Sequence, residues 1–352
     1  MPDMRFAPPN PIRIADRSAG LNAVSVRGHN ERLVLSLLLR HGGMSRMALG
    51  EKSGLSAQTV SVIVRSMEKE GLIASGEAQK GRVGPPTIPV SLNADGVSAV
   101  GISVGFRKTD VVLIDFLGHV TASAELAHET LGYHHVHPQI FATVSGLIRA
   151  LPKRKQDRIA GIGLALPDGF EDSPELAQLQ GQLETLGLEV FVQNDVTSAA
   201  AGESMFGAAR PLENYLFFYV GAHVHSRLIL NHHILRSGVN ASYDVGLLEL
   251  ERRLGSNAAT SAEFWKTTLG PATDAPVQAW IEDCGALIQD KAAQANQFVQ
   301  VDTVVVSSYL PRPLIEGLCD TLGPLKGVVG EVAQAPKAVG AASLAFSSRF
   351  LI

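Results

Sequence analysis

Cysteine is nearly absent from this chain: Cys284 and Cys319 are the two that 352 residues contain. They form no disulfide framework and no metal-ligand spacing, so neither a stapled secreted scaffold nor a zinc-held fold is expected, and a reducing cytoplasm fits this usage. The sequence also lacks a signal peptide and any apolar run approaching a membrane span, which argues against a membrane partner. No short internal repeat stands out. The first twenty residues have no hydrophobic period and carry Pro2, Pro8, Pro9 and Pro11, which predicts a flexible tail over 1–20. A large excess of one charge is missing too, but the net of −4 conceals a split. Residues 1–90 hold 12 Lys and Arg against 7 Asp and Glu, a net of +5, while the remainder holds 18 against 27, a net of −9. A basic N-terminal segment is what the phosphate backbone of a nucleic acid attracts.

What is present is concentrated first in residues 45–73. Arg46 to Lys52 reads as a short helix with Leu49 facing inward. Ser53-Gly54-Leu55 supplies a tight turn, with Gly54 free to take the positive φ that a sharp reversal needs. Ser56 is placed to cap the following helix, where its hydroxyl meets an orphan backbone N–H. Val60, Ile63, Val64 and Met67 recur at helical spacing and predict the buried face. Gln58, Thr59, Ser61 and Arg65 fall on the opposite face, which suits the base edges of a major groove. An ordinary helical hairpin inside a core is the competing reading, and so polar a face speaks against it. Asn30 to Arg40, with Leu33, Val34, Leu37 and Leu38, supplies the first of three helices.

After Gly71-Leu72-Ile73 the chain reads as a wing. Lys80 and Arg82 sit on a glycine-flanked tip, and Ile88 to Leu92 is extended. Those two cations suit phosphates or a minor groove; a basic interdomain linker is the alternative. The expected DNA-contacting set is therefore Ser56, Gln58, Thr59, Ser61, Arg65, Lys80 and Arg82. Double-stranded operator DNA is the expected partner.

From Val97 onward strands come first and helices interleave, which predicts an α/β body of two lobes. Strands are expected at Val97–Gly105, Thr109–Asp115, His119–Ala127, Ile159–Ala165, Glu189–Gln193, Tyr215–Val220, Leu228–Asn231 and Thr303–Ser307. Helices are expected at Pro138–Ala150, Pro174–Leu186, Val196–Phe206, through much of 260–298, at Pro313–Leu322 and at Ala338–Phe350. The domain reading is a tail over 1–20, a winged helix-turn-helix over 21–92 and a body over 93–352.

Several motifs in fixed order carry a family resemblance. They are the helix-turn-helix from Gly54 to Ile73, the Gly81-Arg82 wing, Gly101-Ile102-Ser103-Val104-Gly105 and Leu113 to Gly118. Val192-Gln193-Asn194-Asp195 through Gly202-Glu203 to Phe206-Gly207 follows, then Gly340-Ala341-Ala342-Ser343-Leu344. In these the chain resembles the ROK family of winged-helix, sugar-responsive repressors and sugar kinases. The fold implied is a winged helix-turn-helix followed by a two-lobed, actin-like (ribonuclease H-like) ATPase-type body. The resemblance implies an effector site at Asn194, Asp195 and Asp244, with Asp195 accepting sugar hydroxyls and Glu203 structural. A helix N-cap is the alternative role for Asp195.

The kinase half of the resemblance fails residue by residue. Ser103 stands where the family's kinases have Asp, and Arg107 stands near their Thr. Bulky residues fill the stretch Val220 to Arg227, where glycines let backbone N–H groups approach phosphates, and Ser307-Ser308-Tyr309 replaces a glycine cluster. The family's zinc cysteines are missing after Leu247, so no metal and no cofactor is expected. Histidines at 134, 135, 137, 223, 225, 232 and 233 read as surface groups or fillers of the vacated loop rather than as metal ligands. A sugar-responsive repressor without enzymatic activity, assembled as a homodimer or higher oligomer, is the expected function. The alternatives are a sugar kinase, or a regulator whose body has lost its effector and serves for dimerisation.

Overall fold

The computed structural model describes residues 23–78, 88–105, 108–128, 133–168, 170, 174–235, 241–255 and 275–352. The tail over 1–20, the wing-tip residues Lys80 and Arg82, and Arg107 lie outside the described residues, as do the side chains of His134, His135 and His137.

Helices α1 (Ala23–His41), α2 (Arg46–Ser53) and α3 (Ala57–Glu70) precede a two-stranded antiparallel ribbon of β1 (Ile73–Ser75) and β2 (Val90–Leu92). Ser45 and Ser56 cap α2 and α3, each accepting a backbone N–H. Gly54 and Gly71 close the two helices at positive φ, where a β-carbon would be strained. The buried face of α3 is Val60, Ile63, Val64 and Met67, as the spacing predicts. In α1 the phase differs from expectation: Val34, Leu35 and Leu38 are buried, whereas Leu33 and Leu37 are half-buried.

The body holds two sheets. The first runs β5 (Val120–Ala127), β4 (Lys108–Asp115), β3 (Ser98–Val104), β6 (Ile159–Leu166), β7 (Val190–Asn194), with β3–β6 and β6–β7 parallel and the β3–β4 and β4–β5 pairs antiparallel. Helices α4 (Tyr133–Arg149) and α6 (Pro174–Glu184) accompany it, with the short α5 (Lys153–Gln156) before β6. Helix α7 (Asp195–Phe206) leads to the second sheet. Its order is β10 (His233–Ile234), β9 (Val224–Leu230), β8 (Tyr215–Val220), β12 (Thr303–Ser308), β13 (Lys326–Val329), with β11 (Ser242–Tyr243) paired to β9. Helices α8 (Leu247–Leu254), α9 (Ala275–Ala295) and α10 (Arg312–Asp320) pack here, and α11 (Pro336–Arg349) closes the chain. Strand β9 begins at Val224 rather than Leu228, so the turn after β8 is reduced to Gly221-Ala222-His223.

Helix α11 lies unusually close to its neighbours. A β-carbon at Gly101 or Gly163, on β3 and β6, would strike the carbonyls of Ala338 and Ala341, and one at Gly340 would strike Ser198 on α7. Backbone therefore meets backbone along the helix. At its far end Phe346 and Phe350 set edge-to-face rings on Phe116 at 5.3 and 5.6 Å. Phe350 and Leu351 belong to the same buried cluster as Val34, Leu38 and Met67, and the Ile352 N–H donates to Ser36 Oγ in α1 at 3.0 Å. One hydrophobic core thus runs from the three-helix unit into the body. Arg158 adds a polar clamp, donating to the carbonyls of Gly96 and Glu70 at 2.7 and 2.8 Å.

Candidate DNA-recognition face and ligand site

Gln58 and Arg65 are exposed on α3, on the side away from its buried stripe. Ser56, Thr59 and Ser61 share that end of the helix, but their hydroxyls are committed locally. Ser56 Oγ accepts from Thr59 N at 3.1 Å and lies 2.9 Å from Thr59 Oγ1, while Ser61 Oγ donates to the Ala57 carbonyl at 2.8 Å. Two features were not singled out by sequence reasoning: Val62 is 55% exposed within this face and Met47 is 74% exposed on α2. The signal was available, since Val62 falls out of phase with the apolar stripe.

The second candidate lies where the lobes meet. Asn194, not Asp195, is the N-cap of α7: its Oδ1 accepts from the N–H groups of Val196 and Thr197, both at 3.0 Å. The same oxygen accepts from Arg227 Nη2 at 2.6 Å, and Asn194 Nδ2 donates to Asp168 Oδ1 at 2.6 Å. Arg227 is buried and also donates to Thr197 Oγ1 and to the Ser226 carbonyl. Burial lowers its pKa, and the charges of Asp168 and Asp195 oppose that shift. Asn194 is therefore a structural hub in this conformation, with its acceptor fully engaged.

Asp195 is buried and accepts from Lys337 Nζ, a residue that sequence reasoning missed. Lys337 stands in the first turn of α11, and its ammonium lies 4.5 Å from the ring centre of Tyr219. Tyr219 is pushed well above its ordinary pKa by burial and by Tyr309, Asp195 and Asp110 nearby. Asp110, opposite Ser103 across β3–β4, pairs with Lys108 at 3.2 Å; burial raises its pKa despite that lysine. Ser103 itself is buried. Asp244 stands apart at the rim, fully exposed and 3.3 Å from His223 Nδ1. Of the three expected ligand residues, Asn194 and Asp195 meet in one buried cluster and Asp244 does not join it.

Ala335 precedes this helix at φ 44°, ψ 55°, a left-handed conformation costly for a residue with a β-carbon. Glu203 is fully buried and accepts from Glu331 N, Val332 N, Ala208 N and Ser307 Oγ, in accord with a structural role. Among the described residues, no group of three or more His, Cys, Asp or Glu is arranged to hold a metal.

Burial, reinforced by the Lys337 ammonium, lowers the His225 pKa to about 4, and its Nδ1 is buried without a partner among the described residues. An unfolded histidine titrates near 6.5. Between those values the unfolded chain binds the proton and the native one does not, so stability rises with pH through the window. Its contribution is complete above pH 6.5 and is lost as pH falls toward 4, by about 2–3 kcal/mol. Urea midpoints from pH 4 to 7 should show this slope, flattened in His225→Gln. Superimposable profiles would remove His225 as the cause.

A family described as winged helix-turn-helix DNA-binding matches residues 28–74. An uncharacterised protein, y4fQ, of Sinorhizobium fredii NGR234 is 26% identical over 341 residues, 85% of this chain and 84% of that one. The xylose repressor of Bacillus subtilis is 25% identical over 240 residues, covering 64% of this chain and 62% of the repressor's own length. Among solved structures, a ROK family transcriptional regulator described as a homologue of the Escherichia coli Mlc protein superposes at TM-score 0.64 and 17% identity. That match spans 92% of this chain and 97% of the regulator. A ROK glucokinase from Streptomyces griseus, holding glucose and AMPPNP, superposes at TM-score 0.54 and 15% identity, over 70% of this chain and 98% of the enzyme. Among the described residues, no helix is long and apolar enough to cross a membrane.

Proposed function

Because the chain belongs to the ROK family of winged-helix regulators, we propose that it is a sequence-specific repressor of carbohydrate-uptake or catabolic genes. In this reading it binds operator DNA as a homodimer or higher oligomer, answers to a sugar or sugar derivative, and transfers no phosphoryl group. The carrying observation is the α3 face: Gln58 and Arg65 stand free while Val60, Ile63, Val64 and Met67 are buried. Ser56, Thr59 and Ser61 support the helix start, and Lys80 and Arg82 are assigned to the wing.

The ligand arm rests on the Asp195 carboxylate and on α11. A carboxylate accepts paired hydroxyls well, and a polyol doing so must displace Lys337. That displacement acts on the first turn of a helix about 20 Å long whose other end is packed into the three-helix unit. The relative named a xylose repressor supports the sugar class. Phosphoryl transfer needs close backbone donors and a metal to neutralise the phosphates. Buried Ser103 and the side chains of Ala222 and His223 in the shortened turn speak against both. The competing reading, a body serving only for dimerisation, is favoured by one observation: Asn194 and Asp195 are already satisfied internally.

Arg65→Ala tests the DNA arm. With a duplex selected by the wild-type chain, binding should weaken by about 1–3 kcal/mol if Arg65 reaches a guanine edge, with the loss concentrated at that base pair. Unchanged affinity and unchanged base preference would overturn the assignment of this face.

A further inference from the structure

Val62 sits at the centre of a face that is otherwise polar. It follows Gln58 by four residues and precedes Arg65 by three, so the three side chains are neighbours on one stripe of α3. The helix has other places for apolar groups, and fills them: Val60, Ile63, Val64 and Met67 are buried on the far side. Val62 instead leaves 55% of its surface open. Of the hydroxyls beside it, Ser61 donates to the Ala57 carbonyl and Thr59 Oγ1 is held 2.9 Å from Ser56 Oγ. Among the described residues, neither Gln58 nor Arg65 is bonded to another side chain, so both flanking groups reach outward.

We propose that Val62 reads the C5-methyl group of a thymine, and so fixes a T·A pair in each half-site between the bases contacted by Gln58 and Arg65. This rests on the DNA-binding reading above and deepens it. In the major groove the apolar group that a base pair presents is that methyl, and a branched aliphatic side chain is its natural contact. The flanking amide and guanidinium suit adenine and guanine edges. A β-branched residue is also stiff at χ1, so it holds its methyl groups in place with little entropy to lose.

The test is a cycle of two changes on a duplex selected from a random pool by the wild-type chain. Each thymine is replaced in turn by deoxyuridine, which deletes the methyl and leaves the pairing edge intact, and each duplex is titrated with wild type and Val62→Ala. Alanine is a good helix former at this exposed position, and circular dichroism with a melting curve verifies that the variant is folded. For wild type, one deoxyuridine position per half-site should weaken binding roughly fourfold, the worth of a buried methyl group. Val62→Ala should be weaker by a similar factor on the thymine duplex and indifferent to deoxyuridine there. Two results overturn the proposal: wild type indifferent at every position, or the same loss at the same position in both proteins. Failure of the wild-type chain to enrich any duplex would instead sink the DNA-binding reading itself.

Discussion

Glu203→Ala is expected to be among the most damaging single changes in the body, costing about 3–5 kcal/mol of folding stability through the stranded donors of a buried hydrogen-bond network. The carboxylate is wholly buried, and one oxygen accepts from Ala208 N and Glu331 N while the other accepts from Val332 N and Ser307 Oγ. It thus ties α7 to β12 and to the segment after β13. Gly207 and Gly330 leave it room, since a β-carbon at either would collide with its oxygens. Burial raises its pKa and the backbone donors pull it back, as befits an anion held by fixed dipoles rather than by a cation. Alanine would strand those donors, each at about 1–3 kcal/mol if water does not enter. Glutamine keeps the shape but turns an NH2 group toward donors, so it should rescue only partly. Urea unfolding measures this directly; a loss below 1 kcal/mol for alanine would mean that the tie is redundant.

Gly340→Ala should be comparably severe, at about 3 kcal/mol or more. The new methyl group would be driven into the Ser198 carbonyl, a backbone atom on a packed helix that cannot rotate aside. Gly202, on the facing turn of α7, already approaches the Gly340 backbone. The two helices must separate, and α11 cannot move without disturbing its seat on β3 and β6 or the Phe346 and Phe350 packing near α1. Gly181→Ala on α6 is the control: open space surrounds that position, and alanine there should be neutral or stabilising by up to about 1 kcal/mol. Equal melting temperatures for Gly340→Ala and wild type would refute the close approach.

These two positions also mark where sequence reading succeeds and where it stops. The recognition unit was legible because its signals are local. Ser56 as cap, Gly54 at the turn and the Val60-Ile63-Val64-Met67 stripe each depend on near neighbours in the chain, and the structure places them accordingly. Most of the body's strands and helices were legible for the same reason; α8 and the start of β9 were not, and residues 260–274 of the helix expected over 260–298 lie outside the described residues. The partner of Asp195 was not, because Lys337 is 142 residues away and reaches it only once α11 has docked between α7 and the first sheet. Asn194 and Asp195 both have capping side chains, so the sequence leaves a cap open as an alternative role for Asp195; the register of β7 into α7 gives that role to Asn194. By sequence alone Arg227 is one of the bulky residues in the stretch where the family's kinases have glycines. Its role as the buried donor that organises Asn194 and Thr197 follows from β9 beginning four residues earlier than expected.

The most direct test of the central claim is selection of double-stranded DNA from a random pool by the full chain, repeated with a panel of sugars and sugar derivatives. The predicted result is enrichment of a two-fold symmetric site containing a guanine and a thymine in each half, with binding shifted by at least one polyol in wild type and unshifted in Asp195→Asn. Enrichment of no site, or consumption of ATP with phosphorylation of a sugar in the same preparation, would contradict it.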